Sequence, residues 1–130
     1  MHTDDVDGES PLDPLTHRII GASFEVAKTL GHGFLEKIYK NALAHELSLA
    51  GFKVEREVAF RIIYKELDIG AYLADLIVER AVVVELKAMD GPIGGVHLGQ
   101  CINYLRASGL KRGLVINFGQ PRLQWKRVVL

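Results

Sequence analysis

The sequence predicts an α/β sandwich in which helices pack against a mixed β-sheet. Two long segments with apolar residues at helical spacing open the chain, and three strand-like segments follow them directly. A third helical segment then separates these strands from two more. Runs of strands separated by helices are typical of a sheet covered by helices, and the three successive strands favour hairpins at its centre.

The helices are predicted from apolar residues that recur every three or four positions. The first covers residues 15–30 and ends at Gly31, and the second covers about 34–50 and ends at Gly51. The third covers about 96–107 and ends near Gly109. A glycine directly after the last periodic residue is a common helix stop, so these three ends are consistent with one another.

The strands are predicted from alternating or continuous apolar runs. They cover residues 54–64, 67–78, 81–88, 113–118 and 123–130. The segment GPIGG (91–95) is predicted as a loop. It is not a phosphate-binding loop, because no Lys-Ser or Lys-Thr pair accompanies it.

Length and composition indicate one soluble domain, residues 14–130, behind a disordered acidic tail, residues 1–13. Apolar residues make up 48% of the chain and charged residues 25%. No apolar run approaches the roughly 20 residues of a membrane span, and the acidic start, which has no apolar core, is not expected to be a signal peptide. Cys101 is the only cysteine. An internal disulfide is therefore excluded, and a cytoplasmic location is expected.

The charges are unevenly distributed along the chain, although their total is zero. The first thirteen residues contain five of the 16 acids and no Lys or Arg, which leaves 16 bases against 11 acids in the body. No acid follows Asp90, whereas six bases do: Arg106, Lys111, Arg112, Arg122, Lys126 and Arg127. This moderate excess is compatible with a polyanionic partner such as a nucleic acid, or with ordinary solvated faces.

Three charged residues lie in the middle of apolar strands in ADLIVERAVVVELKA, residues 74–88. If the chain reverses near Arg80, Asp75 lies opposite Glu85, and directly opposed residues have Cβ atoms roughly 5 Å apart. Lys87 shares the face of Glu85, because the two are two positions apart in one strand. The hairpin is therefore expected to bring two carboxylates and an ammonium together.

Two buried carboxylates at such a distance repel each other unless a cation compensates them. A divalent ion such as Mg²⁺ or Mn²⁺ suits carboxylate oxygens better than Zn²⁺ does. The alternative is an ion pair of Lys87 with Glu85 or Asp75 and no metal. The residue pattern alone leaves both open, because structural ion pairs resemble functional sites.

Two helices carry polar residues that the strands could meet. Glu36 and Tyr39 are three positions apart, and Gln100 and Tyr104 are four apart, so each pair shares one helix face. Taken singly, each pair is more simply explained as a polar surface beside a partly buried aromatic ring.

Together these motifs resemble the GxxExxY proteins of the PD-(D/E)xK nuclease superfamily. The resemblance extends from about residue 15 to the end of the chain. Its motifs, in order, are Gly33, Glu36 and Tyr39 in G-x-x-E-x-x-Y, then Asp75, Glu85-Leu86-Lys87, Gln100-x-x-x-Tyr104 and GLVINFG. It implies a restriction-endonuclease-like αβββαβ core with the site at one end of the central hairpin. Ala74 stands where the superfamily pattern has Pro.

The resemblance also implies roles for individual residues. Asp75 and Glu85 would bind the metal, with Glu36 as a further ligand, either directly or through water. Lys87 would orient or activate the attacking water and stabilise charge in the transition state. The substrate-positioning residues would be Gln100, Tyr104 and Tyr39.

The function implied by this resemblance is Mg²⁺- or Mn²⁺-dependent hydrolysis of phosphodiester bonds in DNA or RNA. The alternative is a catalytically inactive nucleic-acid- or protein-binding module on the same fold. Intact Asp75, Glu85 and Lys87 favour the enzyme. A small nuclease domain that cuts both strands often acts as a homodimer, although the sequence reveals no interface.

Overall fold

A computed structural model describes residues 2–3 and 13–130. The predicted disordered tail, residues 1–13, lies outside the described residues except for His2, Thr3 and Asp13, so it stays a prediction. None of the helices in the described part of the chain is long and apolar enough to cross a membrane.

All eight elements that the sequence predicts are present. The helices are α1 (Asp13–Leu30), α2 (Glu36–Leu49) and α3 (Gly95–Ser108). The strands are β1 (His2–Thr3), β2 (Val54–Tyr64), β3 (Leu67–Val78), β4 (Val82–Lys87), β5 (Arg112–Asn117) and β6 (Gln124–Val129). No predicted end differs from the observed one by more than two residues. The two-residue strand β1 was not predicted from the sequence.

The strands form one mixed sheet in the order β1-β6-β5-β4-β3-β2. Strands β2, β3 and β4 pair antiparallel through tight turns, and β5 and β6 pair antiparallel through a six-residue connection, residues 118–123. Strand β5 pairs parallel to β4, because α3 carries the chain back to the end of the sheet at which β4 begins. The predicted fold class, α/β with a restriction-endonuclease-like mixed sheet, is confirmed.

The sheet has a separate apolar layer on each face. Helices α1 and α2 cover one face, where Leu76, Val84 and Ile116 are fully buried. Helix α3 covers the other face around the buried side chains of Val83 and Val115. Because consecutive strand residues point to opposite faces, each central strand supplies both layers.

The central hairpin has the predicted register. Backbone pairs join Leu76 to Val84, Ile77 to Val83 and Val78 to Val82, so the numbers of each pair add to 160. The turn contains Glu79 and Arg80, both in the left-handed region at φ 55° and 51°. Asp75 and Glu85 are the next residues beyond the last of these pairs.

Candidate functional site

Strands β3 and β4 separate at the point where their two carboxylates face each other. The backbone pairing ends at Leu76 and Val84. Beyond it, the Asp75 amide donates to Glu85 Oε1 at 3.3 Å, and the Leu86 amide donates to Asp75 Oδ2 at 2.8 Å. Each carboxylate therefore accepts the amide that an ordinary ladder would pair with a carbonyl, which explains how an apolar hairpin accommodates two acids.

Asp75 also lies at a distortion of β3. Pairing between β2 and β3 skips Asp75 and the opposing Glu57, whose φ is 53°. Ala74 packs in the α3 layer, whereas Leu76 packs in the layer of α1 and α2. In a regular strand these two residues would share a face, so the strand changes face across Asp75.

The carboxyl group of Glu85 is buried, with 6% of the residue exposed. Burial, followed by the negative charge of Asp75, raises its pKa from 4.5 to about 9, against smaller opposing effects of the Asp75 amide and Lys87. Among the described residues no ion pair joins Lys87 to either acid. The alternative of a simple structural salt bridge is therefore not what the structure contains.

Lys87 ends β4 beside the same pair of acids. Its half-buried side chain places Nζ 3.5 Å from Oε1 of Gln100 on α3. Tyr104 lies one turn further along α3 than Gln100. Its burial, followed by the charges of Glu85 and Asp75, raises the pKa of its hydroxyl. The strands and α3 thus bring five of the predicted site residues together.

Glu36 reaches this site from the other helical layer. It is the first residue of α2, where a carboxylate is favoured by the helix dipole. The side chain is open to solvent on one side, yet its partial burial and the charge of Asp75 raise its pKa. Lys87 lowers that pKa, so Glu36 shares the electrostatic environment of the hairpin residues.

Tyr39 does not lie in the open site. Its ring is fully buried and stacks on Phe118 with the ring centroids 4.8 Å apart. Its hydroxyl donates to the Gly31 carbonyl at 2.6 Å and accepts the Phe34 amide at 3.1 Å. The predicted substrate-positioning role is therefore corrected: the site of action of Tyr39 is the loop before Glu36.

Asn117 is a residue of this region that the sequence patterns did not single out. It is fully buried at the end of β5, and it fixes the loop that follows Lys87. Its Oδ1 accepts the Met89 amide at 3.0 Å, while its Nδ2 donates to the carbonyls of Met89 and Gly91 at 3.2 and 3.1 Å. The sequence signal that could have identified Asn117 is its position as a polar residue at the end of an otherwise apolar strand.

The residues present fit a hard divalent cation. Asp75 and Glu85 offer adjacent oxygen ligands whose repulsion Lys87 relieves only in part, and Mg²⁺ is commonly held by one or two carboxylates with several waters. Within residues 2–3 and 13–130, no three His, Cys, Asp or Glu side chains are grouped closely enough to enclose a metal. Glu36 therefore fits as a ligand through water rather than as a third direct ligand.

A mixed sheet in this order, with Asp, Glu and Lys where the central hairpin opens, defines a nuclease-like domain. The sequence model of the PD-(D/E)XK nuclease superfamily matches residues 13–128. The chain therefore belongs to this superfamily, whose nucleases generally use divalent metals. No curated protein and no solved structure matches the chain.

Proposed function

We propose that this protein is a Mg²⁺- or Mn²⁺-dependent nuclease that hydrolyses phosphodiester bonds in nucleic acid. The observation that carries the proposal is the pair of adjacent acids, the half-buried Asp75 and the buried Glu85, at the opening of the central hairpin. Such a pair is costly to the apo fold unless a cation is bound. Lys87 lies two residues beyond Glu85 in β4, on the same face of the strand, and its charge acts on the Glu85 carboxyl group.

Asp75 and Glu85 would hold the ion, which would neutralise charge on the phosphate oxygens and lower the pKa of a bound water. Lys87 would supply a point charge beside the attacking water. Gln100, 3.5 Å away, keeps that ammonium directed into the site. Tyr104, with its raised pKa, remains a neutral hydroxyl that can donate a hydrogen bond to a phosphate oxygen at physiological pH.

Glu36 would act on water at the periphery of the site. Its raised pKa makes it a better proton acceptor than an ordinary surface carboxylate. We also propose that the chain belongs to the GxxExxY group. In support, Gly33 has φ 114°, a conformation that favours glycine, and Tyr39 fixes the same loop, so the motif presents Glu36 at the start of α2.

The substrate class is proposed from the superfamily and from surface charge. Four exposed bases follow Asp90 without any acid between them: Arg106, Lys111, Arg122 and Lys126. Contacts of such residues with phosphates weaken as salt is added, so the slope of binding against salt concentration counts them. A homodimer would bring one site to each strand of a nucleic-acid duplex. Sedimentation of the protein with and without duplex measures its oligomeric state.

Purified protein, incubated with single- and double-stranded DNA and RNA in EDTA, Mg²⁺ or Mn²⁺, tests the proposal. We expect cleavage only with a divalent ion, and a loss of roughly a hundredfold or more in Lys87→Ala. Lys65→Ala, which removes an exposed lysine from the β2–β3 turn, is the matched control and should cleave normally. Cleavage in EDTA, or full activity of Lys87→Ala, would contradict the proposed role of the site.

A non-catalytic nucleic-acid-binding module is the second candidate. The specific observation in its favour is that no described group of three metal-ligating side chains encloses a site. This reading predicts salt-dependent binding of nucleic acid but no stabilisation of the fold by Mg²⁺. Thermal unfolding with and without the ion separates the two candidates, because a bound ion raises stability by mass action.

A further inference from the structure

The hairpin of β2 and β3 extends well beyond the rest of the sheet. These strands have 11 and 12 residues, whereas β4 has six and pairs with β3 only from Leu76 to Val78. The paired residues from Val58 to Tyr64 and from Leu67 to Ala74 therefore project past β4 by roughly 20 Å. We call this part of the hairpin, residues 58–74, the arm.

The body of the protein covers only the near half of the arm. Val58 and Phe60 pack in the layer of α3, and the ring of Tyr72 contacts that of Tyr104 with the centroids 5.0 Å apart. Residues 63–71, in contrast, are all exposed. A two-stranded hairpin without a third strand or a packed helix is only marginally stable in water. The outer half of the arm therefore lacks the support that such a hairpin needs.

The exposed surface of the arm is largely apolar. Its large apolar side chains that are more than half exposed are Ile63, Tyr64, Leu67, Ile69 and Leu73. Together they present on the order of 500 Å² of apolar surface, which is a large patch for a monomer. Each partner of a stable protein–protein interface contributes about 800 Å². The arm and the backbone beside it therefore approach the area that a stable dimer requires.

The outer edge of β3 is open and carries few of the usual obstacles to strand pairing. No described strand lies beside it from Leu67 to Ala74, and alternate residues of the strand direct their N–H and C=O groups to that edge. Exposed edges are ordinarily protected by charges, Pro or bulges. From Ile69 to Ala74 there is no charged residue and no Pro, and the pairing with β2 is regular from Gly70 onward. This edge is therefore suited to accept another strand.

The charges of the arm indicate the kind of partner. Arg61 and Lys65 are balanced by Glu66 and Asp68, so the arm has no net charge. The guanidinium of Arg61 already binds Asp68, with Nε and Nη2 at 2.9 and 2.6 Å from Oδ2. A neutral arm lacks the excess of bases that a polyanion requires, whereas an apolar surface with an open strand edge fits another protein.

We propose that the arm joins two copies of this chain in a symmetric dimer, in which the open edges of β3 pair antiparallel. A strand edge can pair with its own copy about a two-fold axis without any other complementary surface, and two-fold dimers are the commonest oligomers. The pairing would give each outer hairpin the additional strands that it lacks. This inference goes beyond the proposed nuclease function and does not rest on it.

The position of β4 limits where the two edges can pair. It occupies the edge of β3 from Leu76 onward, so the free segment is Leu67–Ala74. The two-fold axis therefore lies near Gly70, close to the middle of this segment. Ile69 is next to the axis, where side chains introduced at this position in the two copies would lie near each other on one face of the sheet.

Sedimentation equilibrium of the intact protein in EDTA, without nucleic acid, tests this inference at concentrations from about 1 to about 100 µM. We expect the wild type to reach a mass of two chains. Ile69→Lys and Leu73→Lys should each weaken dimerisation by about tenfold or more, because a charge on an edge opposes pairing. Leu49→Lys, which places the same charge at an exposed leucine at the end of α2, is the matched control and should dimerise normally.

A charge exchange at one position tests the two-fold symmetry. Ile69→Lys and Ile69→Glu should each be impaired, because like charges meet near the axis. An equimolar mixture of the two should recover the dimer, because opposite charges then meet. Recovery also shows that both variants are folded, since an unfolded chain would not regain the interface.

The outcomes separate the arm from the chemistry of the carboxylate site. A monomeric wild type at about 100 µM, or a Leu49→Lys variant as impaired as Ile69→Lys, overturns the arm as an interface. A dimer that the mixture does not recover overturns symmetric pairing of the β3 edges. Metal-dependent cleavage by a monomer would leave the proposed function intact, and a dimer that no ion activates would leave the interface intact.

Discussion

Replacing Glu85 by glutamine should stabilise the metal-free protein while abolishing its response to metal. The glutamine retains an oxygen for the Asp75 amide and gains an N–H₂ group that can donate to the Asp75 carboxylate. It removes the charge that burial and Asp75 make unfavourable. The variant thus exchanges a functional ligand for stability, as in other active sites where activity requires unfavourable groups.

The magnitude follows from the shift in pKa. A carboxyl whose pKa is raised from 4.5 to about 9 on folding binds its proton more tightly in the folded state. Stability is therefore greatest below the unfolded pKa and is lost as pH rises toward the folded pKa. At about 1.4 kcal/mol per unit, the loss by about pH 8 is at most about 5 kcal/mol. Because the glutamine amide must also be desolvated, we expect a net gain of about 1–3 kcal/mol.

Urea unfolding in EDTA at about pH 5 and about pH 8 measures this effect. Glu85→Gln should exceed the wild type in free energy of unfolding at the higher pH, and the difference should shrink at the lower pH. Glu66→Gln, which removes an exposed carboxylate from the β2–β3 turn, is the control and should change little. A variant less stable than the wild type at about pH 8 would refute the account of an uncompensated buried acid.

Three further substitutions test other parts of the structure. Lys87→Met should reduce metal-dependent cleavage by roughly a hundredfold or more. It should leave the stabilisation by Mg²⁺, measured by thermal unfolding, unchanged. Loss of both cleavage and stabilisation would place Lys87 in the metal site. Tyr39→Phe should cost about 1–2 kcal/mol in urea unfolding, because the loop before Glu36 loses both bonds to the hydroxyl; an unchanged midpoint would contradict this. Lys65→Asn combined with Glu66→Gly should raise the free energy of unfolding by about 1 kcal/mol without altering cleavage. Both positions have positive φ, which Asn and Gly adopt more readily than Lys and Glu. A lower melting temperature of the double variant would contradict this expectation.

Much of the fold was predictable because local pattern and tertiary structure agree. The apolar runs are long, their ends carry glycines, and the residues opposed about Arg80 lie in the register that the turn allows. That register alone was sufficient to bring Asp75 and Glu85 together. The helical residues Gln100 and Tyr104 reach the same place because α3 crosses the face on which Glu85 and Lys87 lie.

Other features depended on backbone conformations that residue types do not reveal. Glu57 adopts a left-handed φ that side chains other than Gly, Asn and Asp seldom adopt, so the change of face at Asp75 had no signal in the sequence. Tyr39 was expected at the substrate because its motif neighbours Glu36, but helical spacing does not distinguish a tyrosine in the core from one in the cleft. Asn117 acts through backbone atoms of a loop, and its role depends on where that loop passes.

Binding of Mn²⁺ by the wild type and by Asp75→Asn, followed by the electron paramagnetic resonance of free Mn²⁺, tests the central claim most directly. The asparagine retains an oxygen for the Leu86 amide, so the hairpin should fold unchanged. We expect the wild type to remove Mn²⁺ from solution with saturation at one ion per chain, and the variant to remove almost none. Equal uptake by the two proteins, or none by the wild type, would contradict a metal site formed by the acids at the opening of the hairpin.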